Sequence, residues 1–309
     1  MRVRVIVGAL FVAGVAAAAA PPAASVEEQT RRGWGLCRSA HYDEAVAAFR
    51  EALRLDPGFS SAYLGLGVAY SGLGRHEAAV EALREAVRLR PRQAEAHYNL
   101  GLALERAGRL GEAAPALEQA AALKPDYAAA WYHLGGTDAR LGRYGKALDA
   151  YRRAVRLRPD DADALRGLGA TYGNLERWTE AVESLEKAAT LSAADAGAQY
   201  DLGRAYAKQG RPRDAAEAYQ RAIRLQPGLT AAHFNLGLAR VDLGQDAEAI
   251  EAFRSVLRLE PAHAPARFNL ALALLAAGDR AGAREQQKAL DTLDPNLALQ
   301  LSLRFDGGR

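Results

Sequence analysis

The sequence predicts an all-α protein, a single array of stacked helix pairs. Three observations predict it. The pentapeptide NLGLA occurs at Asn99 to Ala103 and at Asn235 to Ala239, and a near copy starts at Asn269, so copies lie 136 and 34 residues apart. Both spacings are multiples of 34, a period of the length that marks helical repeats. Each stretch of that length carries two apolar stripes of helical period separated by a glycine-rich break. Finally, half the residues are hydrophobic but only 7% are aromatic, and alanine is abundant. That composition suits closely packed helices better than a β-sandwich.

Numbering each unit from 1 to 34 and starting at Val26 gives further starts at Ser60, Ala94, Ala128, Ala162, Ala196, Thr230 and Ala264, with no insertion as far as Leu297. Position 20 is alanine and position 30 is leucine in all eight units. Position 8 is glycine except at Ala271, and position 32 is proline except at Ala193. Within the second unit, Tyr63, Leu66, Gly67 and Tyr70 share one face of a first helix. Gly72 and Gly74 mark the break. Ala79, Leu83, Ala86, Val87 and Leu89 form the stripe of a second helix, which Pro91 ends. Glycine at position 8 lets the two backbones approach, so Gly67→Leu is expected to lower the denaturation midpoint, costing roughly 1–3 kcal/mol. Pro115, early in the second helix of the third unit, is expected to kink that helix or delay its start.

The pattern of an aromatic at 4, Leu at 7, Gly at 8, Tyr at 11, Ala at 20, an aromatic at 24, Ala at 27 and Pro at 32 resembles the tetratricopeptide repeat. The fourth unit shows much of it in Trp131, Leu134, Gly135, Ala147, Tyr151, Ala154 and Pro159, departing at position 11 with Asp138. The resemblance covers Val26 to Leu297 and implies a right-handed αα-superhelix, a TPR solenoid with the first helix of each unit lining the concave face. The terminal units read as caps. Gln29 and Arg32 stand where the first unit wants apolar groups, Gln286 and Gln287 interrupt the last second helix, and Ala298 to Phe305 is expected to begin a short capping helix.

The chain opens MRVRVIVGALFVAGVAAAAAPPAAS, two arginines followed by an apolar run from Val5 to Ala20 and then small residues and prolines. This is the layout of a secretory signal peptide, assigned to residues 1–20. The run is short of the ~20 residues that span a bilayer comfortably; an uncleaved anchor facing the periplasm is the alternative. With a single cysteine, Cys37, no internal disulfide forms. The formal net charge of +3 is too small to argue for nucleic acid or an anionic membrane. The alanine excess and the use of arginine over lysine suggest a GC-rich bacterial genome.

No catalytic or metal-binding constellation emerges. GxxxxGK[ST], GxSxG and HExxH are all missing, and no two of the six histidines lie three or four residues apart. Basic stretches such as Arg88 to Gln93 fall at the ends of second helices, and Glu77, Glu112, Glu180 and Glu248 near their starts, where each complements the helix dipole. No cofactor is expected.

Function is therefore expected on the inner stripe of the first helices, where residues vary without disturbing the core. Position 5 contributes Tyr98, Tyr132, Arg166, Tyr200, Phe234 and Phe268; position 9 contributes Trp34 and Arg204; position 6 contributes Asn99, Asn235 and Asn269. The aromatics would hold apolar side chains of a partner, and the asparagines its backbone. No unit pairs Lys at 5 with Asn at 9, so the family's carboxylate clamp for chaperone tails is not expected here. Charge reversal at Arg166 or Arg204 is expected to weaken binding. These readings describe a non-enzymatic scaffold or adaptor, exported to the periplasm or secreted, that binds other proteins or peptide segments. It needs no nucleic acid and meets a membrane only through the N-terminal segment, if that is kept. The alternative is an accessory subunit of an envelope glycan complex, with sugar along the aromatic stripe. End-to-end self-association is a third.

Overall fold

A computed structural model describes residues 25–306, and the proposed signal peptide lies outside them. Among the described residues there are seventeen α-helices and no strand. The first (A) helices of the units are α1 (Val26–Arg38), α3 (Ser60–Gly72), α5 (Ala94–Arg106), α7 (Ala128–Arg140), α9 (Ala162–Asn174), α11 (Ala196–Lys208), α13 (Thr230–Asp242) and α15 (Ala264–Ala276). The second (B) helices are α2 (Tyr42–Leu55), α4 (His76–Leu89), α6 (Leu110–Leu123), α8 (Tyr144–Leu157), α10 (Trp178–Leu191), α12 (Pro212–Leu225), α14 (Asp246–Leu259) and α16 (Arg280–Leu293). A final helix, α17 (Pro295–Asp306), packs on α15 and α16. No described helix is long and apolar enough to cross a membrane.

Each helix packs against its sequence neighbours, and each A helix also packs on the next A helix, whereas the backbones of successive B helices stay farther apart and reach one another only through long side chains, as Arg84 on α4 reaches Glu112 on α6 at 2.6 Å. That asymmetry bends the stack. A helices close ranks on the inner side and B helices splay on the outer side, producing the superhelix with the A helices along its concave face.

The core follows the repeat. The alanines at position 20, Ala45, Ala79, Ala113, Ala147, Ala181, Ala215, Ala249 and Ala283, are all fully buried. A Cβ at Gly67 would stand 2.4 Å from Leu83 Cγ, and one at Gly101 would stand 2.5 Å from Leu117 Cγ. Position 8 is thus a seat for the side chain at position 24, as Gly67→Leu tests. Leucine at position 30 behaves differently: Leu55, Leu191, Leu225, Leu259 and Leu293 remain 38–48% exposed, so its invariance does not come from burial.

The A-to-B turns share one hydrogen-bonding plan. In the second unit the Arg75 N–H reaches back to the Tyr70 carbonyl at 2.9 Å, and the same bond recurs in every unit, from His41 to Leu36 through Asp279 to Leu274. This helix-ending motif needs a left-handed residue just before the donor. Six units supply glycine there, from Gly74 to Gly278, whereas Ala40 and Glu176 adopt φ of 60° and 58°. An L side chain in that region costs about 1–2 kcal/mol, partly offset by glycine's greater freedom when unfolded. Glu176→Gly is expected to raise stability by roughly 0.5–1 kcal/mol in urea titration. An unchanged or lower midpoint would mean that the turn holds Glu176 without strain.

Two expectations need correction. Pro115 does not delay α6, which spans the same 14 residues as the other B helices. Burial of Ala113, Ala114, Ala116 and Leu117 on both sides of it holds the segment helical. Gln286 and Gln287 do not interrupt α16, which runs unbroken; Gln286 instead accepts a hydrogen bond from Arg267 Nη1 at 3.1 Å. The capping helix is present. Its period-two leucines resolve into one buried face, Ala298 and Leu301, and an exposed pair, Leu299 and Leu303.

Candidate functional site

The A-helix face carries the residues singled out from the sequence, and most are half-buried. The aromatic side chains are not free-standing. Tyr132 meets the buried Tyr151 with ring centroids 5.9 Å apart, Tyr200 meets Tyr219 at 5.9 Å, and Phe234 meets Phe253 at 5.8 Å. Each pair joins position 5 to position 24 of the same unit. Trp34 makes the equivalent edge contact with Phe49 at 5.6 Å. Phe268 packs on the last core cluster, and Tyr98 lies against Tyr127 at 4.8 Å. The expectation that this stripe varies without disturbing the core is therefore corrected: one side of each ring belongs to the core. Burial pushes the Tyr151 and Tyr127 hydroxyls up to about 12.

Polar side chains stitch adjacent A helices together beside these rings. Glu105 on α5 receives the Thr137 hydroxyl at 2.7 Å and stands 3.1 Å from His133 Nδ1, both on α7. Arg166 on α9 donates to Asp195 at 2.8 Å, at the start of α11, and stands 3.9 Å from Asp201. Arg204 flanks Asp201 at 3.8 Å. Burial pushes the Asp201 carboxyl up, with Arg166 and Arg204 pulling the other way. Burial also acts on Asp195, but there the Arg166 hydrogen bond and backbone N–H donors outweigh it and hold the carboxyl low. Arg166 and Arg204 thus already serve this cluster. A charge reversal at Arg166 would set three acids together, so it reports on folding as well as on binding.

The asparagines also have internal partners. Asn99 and Asn269 donate to the carbonyls of Glu95 and Pro265, one turn back, at 2.7 and 2.8 Å, and Asn235 donates to the Tyr200 hydroxyl at 3.2 Å. Neighbouring units bring Tyr98, Tyr132 and His133 together, as well as Arg166 with Arg204 through Asp201, and Tyr200 with Asn235. Trp34 and Phe268 stand at opposite ends of the array, in its first and last A helices. Sequence reasoning missed Glu105, Thr137, Asp195 and Asp201. The signal for Asp201 was available, because it occupies the position held elsewhere by the three asparagines. Among the described residues no cluster of histidine, cysteine and carboxylates is arranged to hold a metal.

A superhelix of helix pairs with a polar and aromatic inner face defines a helical-repeat protein of the interaction class. The family model described as "Cilia and flagella-associated protein 70 C-terminal domain" matches residues 13–235, and the one described as "Tetratricopeptide repeat" matches residues 234–298. The chain belongs to the tetratricopeptide-repeat family, whose fold is that of a protein–protein interaction scaffold. No curated protein matches it significantly. Among solved structures it is similar to YrrB, described as "a TPR protein with an unusual peptide-binding site", at 28% identity and a TM-score of 0.56, over 61% of this chain and 98% of that one. It is also similar to MamA from Desulfovibrio magneticus RS-1, at 29% identity and a TM-score of 0.52, over 55% of this chain and 96% of that one. A repeat protein from Cytophaga hutchinsonii shares the fold over 78% of this chain and 99% of that one, with 18% identity and a TM-score of 0.63.

Proposed function

We propose that the protein is a non-enzymatic scaffold, exported to the periplasm or secreted, that holds partner proteins by segments laid along the A-helix face. The observation that carries this reading is the row of half-exposed rings, Tyr98, Tyr132, Tyr200, Phe234 and Phe268, alternating along one face with ion-paired and amide side chains. Rings fixed by core packing lose little freedom on binding, and the neighbouring polar groups can orient a peptide backbone. The peptide-binding description of YrrB supports the same class of ligand. For export, the support is the N-terminal sequence, with its two arginines, apolar run and small residues.

A photo-crosslinker tests the reading. Arg204 is the better inner position because it is exposed, whereas Phe234 is held against Phe253. The outer control is the exposed Arg254 on α14. The scaffold reading expects protein segments captured at 204 and not at 254, in the envelope fraction, by a chain lacking its first twenty or so residues. Equal capture at both positions would reject the groove. Capture of glycan at 204 without protein would move the function to sugar binding.

A further inference from the structure

In three units the outer groove beside the A helix is closed by a buried tyrosine at position 11: Tyr70, Tyr172 and Tyr206. Each hydroxyl ends on position 25 of the preceding unit. Arg50 donates to Tyr70 at 2.7 Å, Arg152 donates to Tyr172 at 3.0 Å, and Tyr206 donates to Glu186 at 2.5 Å. The fourth unit lacks this plug. Asp138 stands at position 11 and Glu118 at the preceding position 25. The smaller side chain leaves a cavity of about 400 Å³ between α6, α7 and α8. In the seventh unit Arg240 stands at position 11, and a cavity of about 620 Å³ lies in the equivalent place.

The two cavities differ in chemistry. Arg240 is hydrogen-bonded to Gln245. Asp138 is 3% exposed, and its Oδ1 is buried with no hydrogen-bond partner. The nearest cation, Arg143, reaches only 3.5 Å and is itself half exposed. Burial pushes the Asp138 carboxyl up, while Arg143 and Lys146 pull it down. A buried acceptor that has an ion-pair partner but no hydrogen bond is still costly, and a donor entering the cavity would relieve that cost. Of the charged groups lining the space, Asp138, Glu118 and Asp149 are acidic and Arg143 and Lys146 basic, an excess of one negative charge. Pro115, Trp131 and Leu134 form an apolar wall leading to Asp138. The wall suits a methylene stem, the carboxylates suit a cationic head, and the indole offers a cation–π contact.

We propose that this cavity is a binding site separate from the A-helix face, taking a lysine or arginine side chain of a protein partner. The full chain tests it by calorimetric titration with capped arginine and lysine amides, a capped tyrosine amide and a free diamine. The expected result is binding of the capped arginine or lysine, weakened about tenfold or more by Asp138→Asn. Asp138→Tyr restores the plug of the sister units; it is expected to abolish binding while raising the melting temperature, which separates loss of the site from loss of the fold. Binding that survives Asp138→Tyr overturns the proposal, as does no binding of either cationic amide. A tyrosine amide that outcompetes both would make the cavity a phenol site, and a diamine that binds more tightly than either would remove the protein source.

Discussion

Replacing Phe49 by alanine is expected to destabilise the protein by roughly 3–5 kcal/mol, the usual cost of emptying a fully buried aromatic site. Phe49 has no exposed surface, and its ring is held between two backbones. A Cβ at Gly33, in its own unit, would stand 2.6 Å from the ring, and one at Gly65, in the next, would stand 2.3 Å away. The ring therefore couples unit 1 to unit 2, and removing it opens a void that neither glycine can fill. The same geometry makes a sharper test. Position 6 accepts asparagine at Asn99, Asn235 and Asn269, but with a Cβ this close to the Phe49 ring Gly65→Asn is expected to cost roughly 1–3 kcal/mol or more. In the double variant Phe49→Leu/Gly65→Asn the two losses should be less than additive in urea titrations, since leucine already serves at position 24 in Leu83, Leu117 and Leu185. Fully additive losses would show that the ring does not seat against Gly65.

The second large effect is expected at the other end. Leu301→Ala is predicted to cost roughly 2–5 kcal/mol locally. Leu301 is completely buried, and with Ala298 it covers the last unit, whose Leu290 and Ala283 are also fully buried. In a stack held by nearest-neighbour contacts, such a loss stays near where it is made. Hydrogen exchange in α15 and α16 should accelerate strongly, while α1 to α10 keep their protection. Uniform acceleration along the chain would show the array to be one cooperative unit rather than a stack.

The fold was legible because its determinants are local and repeated. Ala45 and its seven counterparts, and Gly67 and its counterparts, recur at the one spacing that stacks helix pairs, so the period alone implies the contacts. The face was legible only in part. Position 5 could be placed on the inner side by helical spacing, but its packing against position 24 depends on the angle between helices A and B, which no spacing encodes. The link from Arg166 to Asp195 spans 29 residues, from position 5 to position 34 of one unit, and helical spacing does not announce it. Glycine at position 6 was equally hidden: Gly65 and Gly167 look like departures from asparagine until the rings of Phe49 and Tyr151 are seen against them. Asp138 was visible as an exception to the repeat, but the cavity beside it was not, since that needs the neighbouring B helix.

The rule that each helix meets only the next two along the chain also governs how the protein comes to be folded. Chains of this length ordinarily pass through kinetic traps, because distant segments must find each other before contact rewards the search. Here no such search exists. Among the described residues every helix-to-helix contact joins segments within about two units, so contact order is low and the closure entropy of any step is that of a short loop. A pair of units can form first anywhere along the chain and extend in both directions. The time to reach the native state is then set by that first pair, and adding or removing whole units should change it little.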